Sequence, residues 1–408
     1  MKKTIRDIDV AGKRVLHHCD FNIKLRRDEK GNLVPVSDIR LKAYFPSIFY
    51  LLEKKAKIVF ISYLERPGGK VVEDLRMRPI AKRLSQLINK EVVVLDDCIG
   101  PQVSQFINQM KPGEMVMLEN TRFYPGEEAD DDQFAGQLAS NGDLMVEDAF
   151  GHCHRVHAST TGIPRHIPSV AGLYLEQEVD IFDQLMVSPQ RPFILIIGGT
   201  KTSDKMGAFK KLANLADKIL IGGAVANNFL KAKGINVGNS FMEEPFVDKA
   251  NGEKIDPISL AKELITSYPN KIVLPVDLVA SDNISNPLQL QLINLSQNQV
   301  IPDGWLFLDL GLQTISLYQQ IIQSGQMIFW DGPLGKYEDE KFRAGTLKIA
   351  QTMAENKGTT VLAGGDTAAA AEQFDLVFKY THVSIAGGAA LEYLAGKKLP
   401  GIEALADK

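Results

Sequence analysis

Along nearly the whole chain, short apolar runs bounded by glycine, proline or polar clusters alternate with segments whose apolar residues recur at helical spacing. In the first half the runs predict strands near 14–23 (RVLHHCDFNI), 57–64 (KIVFISYL), 91–96, 114–119 and 143–148. Amphipathic periodicity predicts helices near 39–55, 79–89, 101–110 and 130–141 between them. The segment 174–188 (YLEQEVDIFDQLMVS) has helical spacing and stops before Pro189, which predicts an interdomain helix. A second set follows in which a strand runs into a glycine pair and then a helix: FILIIGG (193–199), KILIGG (218–223), TVLAGG (360–365) and HVSIAGG (382–388), with the variant MIFWDGPLG (327–335). Strands and helices that alternate in this way imply an α/β fold with parallel sheets.

A length of 408 residues is enough for two or three domains with a large core. Against 50 acidic residues stand 46 lysines and arginines, a net charge of −4, so no overall basic field exists and nucleic acid is not an expected partner. The start MKKTIRDIDVAGKRV is basic but lacks an apolar region behind the charges, and the apolar runs are of strand length, which predicts a cytoplasmic chain without a membrane partner. Cys19, Cys98 and Cys153 have no CxxC spacing and read as free thiols.

Glycine pairs let the backbone turn sharply and approach a ligand, and the helix N-termini behind them offer free N–H groups to anions. One such pair need only make a tight turn; several on one sheet edge, Gly199 and Gly223 among them, point to nucleotide phosphates. Neither GxxxxGK[ST] nor GxGxxG is present, so this would be a different cradle. After FILIIGG, Lys201 and Lys205 stand four apart at an expected helix start, which would put both ammonium groups on one face and favour an anion there. Asp366 and Thr367, behind Gly364 and Gly365, read equally well as a helix cap or as a carboxylate for nucleotide-bound Mg²⁺.

In the first half Arg66, Arg122 and Arg155 fall just past strand ends and Arg40 opens a helix. Ligands of open α/β sheets bind at the carboxyl ends of strands, so the four suggest a pocket for a small carboxylate or phosphate, with Asp20 and Asn22 placed to hold its hydroxyl groups. A rival is zinc, since His17 and His18 adjoin Cys19 while His152, His154 and His157 surround Cys153. Consecutive strand residues alternate faces, however, which argues against shared ligation by His17, His18 and Cys19.

At these motifs the chain resembles the phosphoglycerate kinase family, collinearly from about residue 14 to 401: CDFNIKL (19–25), LENTRFYPGEE (118–128), DAFGHCHRVHAST (148–160), SVAGLYLEQE (169–178), IIGGTKTSDKMG (196–207), WDGPLGKYE (330–338), AGGDTAAAAEQF (363–374) and LAGKKLPGIEAL (394–405). The resemblance implies two Rossmann-like domains with mainly parallel sheets joined by an interdomain helix. Residues 1–173 would bind 3-phosphoglycerate, 174–188 would be the helix, 189–393 would bind nucleotide, and a tail at 394–408 would return to the first domain. It assigns Asp20, Asn22, Arg40, Arg66, Arg122 and Arg155 to 3-phosphoglycerate, and Lys201 and Lys205 to the nucleotide and the transferred phosphate. Glu338 would take the ribose, Gly364, Gly365, Asp366 and Thr367 the nucleotide phosphates, and Asp366 the Mg²⁺. The implied reaction moves the acyl phosphate of 1,3-bisphosphoglycerate to MgADP, giving 3-phosphoglycerate and MgATP, and the reverse. Arg40 and Lys201 would cradle the phosphoryl group in flight in a monomer that closes about a hinge.

Some positions depart from the family pattern. SHLGRP is SYLERP here, so Tyr63 replaces a histidine in the substrate site and Glu65 replaces a glycine, where its carboxylate would repel an anionic substrate or neutralise Arg66. Asp331 replaces the asparagine of WNGP beside the nucleotide phosphates, and His152 replaces the threonine of GTAHR. Ala224, Ala363 and Ala386 replace glycines whose lack of a Cβ would permit close approach or positive φ. Two readings follow: an active kinase with compensated changes, or a diverged paralogue that binds nucleotide or a partner with little catalysis.

Overall fold

The structure is a computed structural model that describes every residue except Met1, Thr202, Asp204, 248–251 and Glu253. Thr202 and Asp204 of the motif around Lys201 therefore lie outside the described residues. The chain divides into two compact units, residues 1–180 with 397–408, and 181–396.

The first unit is built on six parallel strands: β1 (Arg14–His18), β2 (Lys57–Ile61), β3 (Val93–Val94), β4 (Met115–Met117), β5 (Leu144–Glu147) and β6 (Ser169–Ala171). Their order in the sheet is β3-β4-β2-β1-β5-β6. Buried residues dominate β1, β2, β4 and β5, as in a sheet covered on both faces. The chain builds outward from β1 on one side and then returns to β1's other side with β5, so a crevice opens at the β1/β5 carboxyl ends where such folds take ligands.

These strands are shorter than the apolar runs predicted. Phe21, Ile23, Tyr63 and Leu64 are buried but lie past the ladder, packed in the loops that follow β1 and β2. Burial here belongs to the site rather than to strand pairing. The helix expected over 39–55 is two helices, α1 (Ile39–Ala43) and α2 (Phe45–Glu53), because Pro46 supplies no N–H to continue the first. The expected 130–141 helix is likewise Asp132–Ala139, capped by the Asp131 side chain and preceded by a separate short turn, Pro125–Glu128. The helix α3 (Leu173–Val187) crosses from one unit into the other.

In the second unit the parallel strands are β7 (Phe193–Ile197), β8 (Lys218–Ile221), β9 (Ile272–Val273), β13 (Met327–Asp331), β14 (Thr359–Ala363) and β15 (His382–Val383), in the order β9-β8-β7-β13-β14-β15. Between β9 and β13 the chain makes a three-stranded antiparallel sheet of β10 (Asp277–Ser281), β11 (Leu290–Asn294) and β12 (Leu306–Leu310), with β10 in the middle. The alternation pattern did not foretell this sheet. Its inner residues Leu278, Ala280, Ile293, Phe307 and Leu310 share a core with Ile196, Ile328 and Trp330 of the parallel sheet.

Candidate active site

In the first unit the loops after β1, β2, β4 and β5 bring Asp20, Asn22, Tyr63, Arg122 and His152 together, with Arg40 contributed by α1. Asp20 is buried and forms an ion pair with Arg40; its other oxygen, Oδ1, faces His152 Nε2 at 3.2 Å and accepts from the Asn22 N–H at 3.1 Å. Burial opposes the Asp20 charge, but the Arg40 guanidinium first and His152 second hold its carboxyl well below the usual carboxylate range.

Tyr63 is fully buried and sits between two planar groups. The Arg122 guanidinium carbon is 3.6 Å from its ring centroid, and the His152 ring is stacked on it at 4.3 Å with planes 17° apart. Two planar groups this close to one centroid must occupy opposite faces. Arg122 donates from Nη1 to the Glu65 carbonyl at 2.6 Å, and Asn22 Oδ1 accepts from the Glu65 N–H at 2.8 Å. Arg122 Nη2 also lies 3.2 Å from Glu128 Oε1, near enough for an ion pair but without hydrogen-bond alignment. Arg155 is half-buried and its charge is felt by Tyr63 and Arg122, whereas Arg66 is exposed and has no ion pair among the described residues.

The expected conflict at Glu65 does not arise. Its side chain is exposed, and its contribution is backbone: with φ of 50° it occupies the left-handed region that a glycine would favour. Among the replaced glycines the alanines behave differently. Ala224 has φ of −68°, Ala363 ends strand β14, and Ala386 is not among the residues with positive φ, so none needs glycine's freedom.

Buried polar pairs adjoin this cluster, and their partners were not matched from the sequence. His17 Nε2 meets Asp148 Oδ2 at 2.9 Å and His18 Nδ1 meets Glu147 Oε2 at 2.7 Å, while Glu127 accepts from Ser159 Oγ at 2.5 Å. His17 and His18 do face opposite ways, and both are taken up by carboxylates rather than arranged with Cys19. The readable signal was the pair Glu147-Asp148 closing an otherwise apolar strand, since buried carboxylates need partners.

In the second unit the turns after β7, β8, β13 and β14 interlock. Gly199 N donates to Pro333 O at 2.7 Å, Gly223 N to Leu334 O at 3.1 Å, and Gly332 N to Thr367 Oγ1 at 2.7 Å. Gly223 has φ of 58°, and a Cβ there would lie 2.7 Å from both Gly199 N and Pro333 O, so backbone packs directly on backbone. Lys205 and Asp331 pair at 2.6 Å inside this layer. Burial pushes the Asp331 carboxyl up against the opposing pull of Lys205, and Asp366 pushes the same way as burial.

The expectation that Lys201 and Lys205 share a helix face is corrected. The helix α4 (Met206–Leu215) begins after both, Lys205 is its N-cap and Lys201 is an exposed loop residue, because the chain leaving Gly199 at φ of 81° has not yet turned into the helix. Gly364 with φ of 87° precedes the helix α5 (Gly365–Gln373), and Asp366 and Thr367 lie in its first turn. Thr367 is buried and bonded to Gly332, whereas the Asp366 carboxylate is exposed and makes no capping hydrogen bond. One exposed hard oxygen donor beside a phosphate cradle fits Mg²⁺, which keeps several waters and takes most remaining ligands from phosphate. Glu338 is exposed at the end of the loop that follows β13.

Each unit thus presents a parallel sheet whose carboxyl ends carry charge, cations and a neutralised aspartate in the first and backbone N–H groups with a lysine in the second. The sequence profile described as phosphoglycerate kinase matches residues 5–397. The phosphoglycerate kinase of Pelotomaculum thermopropionicum is 43% identical over 410 residues, covering 100% of both chains, and that of Aquifex aeolicus is 43% identical over 408 residues, covering 100% of this chain and 99% of the relative. Among solved structures, phosphoglycerate kinase from Coxiella burnetii superimposes with a TM-score of 0.81 at 30% identity, over 99% of this chain and 98% of the other. That from Pyrococcus horikoshii reaches 0.84 at 28% identity over the same shares. The chain belongs to the phosphoglycerate kinase family.

Proposed function

We infer that the chain catalyses the reaction of its family, transfer of the acyl phosphate of 1,3-bisphosphoglycerate to MgADP to give 3-phosphoglycerate and MgATP, and the reverse, as a step of glycolysis. Full-length identity of 43% to phosphoglycerate kinases carries this reading, and the paralogue alternative is not favoured. In either direction the nucleophile is an oxygen already ionised at neutral pH, a carboxylate or a terminal phosphate. No general base is needed, and catalysis rests on positioning and on cancelling negative charge.

In this proposal Asp20, Asn22, Arg40, Tyr63, Arg66, Arg122 and Arg155 bind the phosphoglycerate. Gly199, Gly223, Asp331, Gly364, Gly365 and Thr367 shape the nucleotide cradle, and Glu338 takes the ribose. Lys201, Lys205 and Arg40 carry the transferred phosphoryl charge. The pairing of Arg40 with Asp20 supports the first set, since it aims a guanidinium beside a group suited to a substrate hydroxyl. Mg²⁺ would be held by Asp366 and would supply further neutralisation of phosphate charge when bound. Residues 1–173 and 189–393 serve as the two substrate-binding domains, 174–188 as the helix between them and 394–408 as the returning tail. Hinge closure, monomeric state and a cytoplasmic location without nucleic-acid or membrane partners complete the reading; no helix among the described residues is long and apolar enough to cross a membrane. A coupled assay on purified protein with 3-phosphoglycerate and MgATP tests it: turnover abolished by Arg40→Ala is expected, and a wild-type protein without turnover would refute the activity.

A further inference from the structure

We propose that His152 is a positioning residue for the phosphoglycerate half of the site, fixing the Asp20–Arg40 pair through a directed hydrogen-bond chain, with Tyr63 as its stacking support. The proposal rests on the reading of Asp20 and Arg40 as substrate groups.

Geometry fixes both ends of the chain, and the burial of His152 settles the bond in its middle. Glu147 Oε1 accepts from the Ala149 N–H at 2.8 Å, and its Oε2 lies 2.7 Å from His18 Nδ1. His18 Nε2 lies 3.3 Å from His152 Nδ1, and His152 Nε2 lies 3.2 Å from Asp20 Oδ1. Carboxylates only accept, so His152 must donate from Nε2 and, as a neutral ring, accept at Nδ1. His18 must then donate from both nitrogens, as an imidazolium between Glu147 and His152. Electrostatics agree. Burial pushes His152 down to about 3, while for His18 burial is outweighed by the Glu147 carboxylate together with Glu127 and Asp20, and the ring is raised. The groups facing His18 are Glu147, Glu127, Asp20 and His152, and those facing His152 are Asp20, His18 and Arg155. Charges along the line run negative, positive, neutral, negative, positive from Glu147 to Arg40, so the buried row is balanced.

A threonine at 152, the residue of the family pattern, is too short to link His18 to Asp20. A histidine at 63 would offer a smaller face to His152 and Arg122. The two departures meet at 4.3 Å and 17°, each ring packed on the other.

Steady-state kinetics in the direction that consumes MgATP, varying 3-phosphoglycerate and MgATP separately, tests the pair. His152→Thr and His152→Leu should each raise KM for 3-phosphoglycerate about tenfold or more, the loss expected for a hydrogen bond to a charged group, with KM for MgATP unchanged. His152→Gln, which can accept from His18 and donate to Asp20, should stay within about threefold of wild type. Adding Tyr63→His to His152→Thr should recover most of the loss, because it restores the family pair. An unchanged KM for 3-phosphoglycerate in His152→Thr, or equal rises for both substrates, overturns the proposal. Thermal melts establish folding; if Thr and Leu variants both unfold, a folded His152→Gln with a tenfold higher KM overturns it. Arg40→Ala separates the two levels: if it is silent, the assignment of Asp20 and Arg40 falls, whereas a damaged Arg40→Ala beside a silent His152→Thr removes the positioning role alone.

Discussion

Lys205 Nζ lies 2.6 Å from Asp331 Oδ1, with side chains 14% and 4% exposed, so the carboxylate that replaces the family's asparagine is matched by the lysine expected to meet nucleotide phosphate. The pair neutralises the extra charge, and a phosphate bound as proposed would share the lysine with Asp331. Asp331→Asn should lower the stability of the nucleotide-free protein by about 1–3 kcal/mol, since it leaves Lys205 without its buried partner. The same change should tighten MgADP binding about three- to tenfold, because the freed lysine serves phosphate alone. Calorimetric titration and denaturant unfolding check both, and weaker MgADP binding would reject the account.

Glu65→Gly should leave KM for 3-phosphoglycerate unchanged, even at low ionic strength, because the side chain is exposed and the backbone N–H and C=O that hold Asn22 and Arg122 persist in glycine. Relief of a left-handed conformation, offset by glycine's greater freedom when unfolded, should make the variant more stable by up to about 1 kcal/mol. A lower KM at low salt would restore the repulsive role.

Asp309 in β12 is buried, with its carboxylate accepting from the Gly345 N–H at 2.9 Å at the start of the helix Ala344–Glu355. Burial pushes it up to about 7. An acid raised on folding binds its proton more tightly in the native state, so stability falls as pH rises from about 4 to 7 and is flat above. Asp309→Asn should flatten that fall by about 1–3 kcal/mol across the window, read from urea unfolding at pH 5 and pH 7.5. Identical pH slopes in the two proteins would show that Asp309 is already ionised in the native state at pH 5.

Lys201→Ala should cut turnover by about a hundredfold or more while leaving the melting temperature unchanged, since a preorganised charge donor is removed from an exposed loop position. Near-normal turnover would remove Lys201 from the phosphoryl-transfer machinery.

The alternation of apolar runs and helices was enough to read two parallel α/β sheets, and of the arginines singled out in the first half, Arg40 and Arg122 fall in the polar cluster with Asp20 and Tyr63. Local pattern failed where burial and pairing part company. Tyr63 and Leu64 look like strand in the run KIVFISYL because they are buried, yet their backbone has left the ladder to shape the loop. Lys201 and Lys205 are four apart, but spacing shows a shared face only where the chain is already helical, and here the helix starts at Met206. The stacking of Tyr63 on His152 joins residues 89 positions apart by subtraction of their numbers, and nothing local announces it. Asp331 read as a liability until its partner across the turn was seen.

Residues 397–408 close onto the first unit: Gly401 N donates to Cys153 O at 2.9 Å, Ala406 N to Ser169 O at 3.0 Å, and Lys3 N to Ala406 O at 2.8 Å. Cys153 adjoins His152, so the last turn of chain braces the loop that carries the Asp20 contact. During synthesis the second unit is contiguous and can complete itself as it emerges, while the first must wait for its final segment. The ribosome therefore releases the segment that completes the first unit last, and a nascent chain stalled before residue 397 holds a whole second unit beside a first unit whose His152 loop is unbraced.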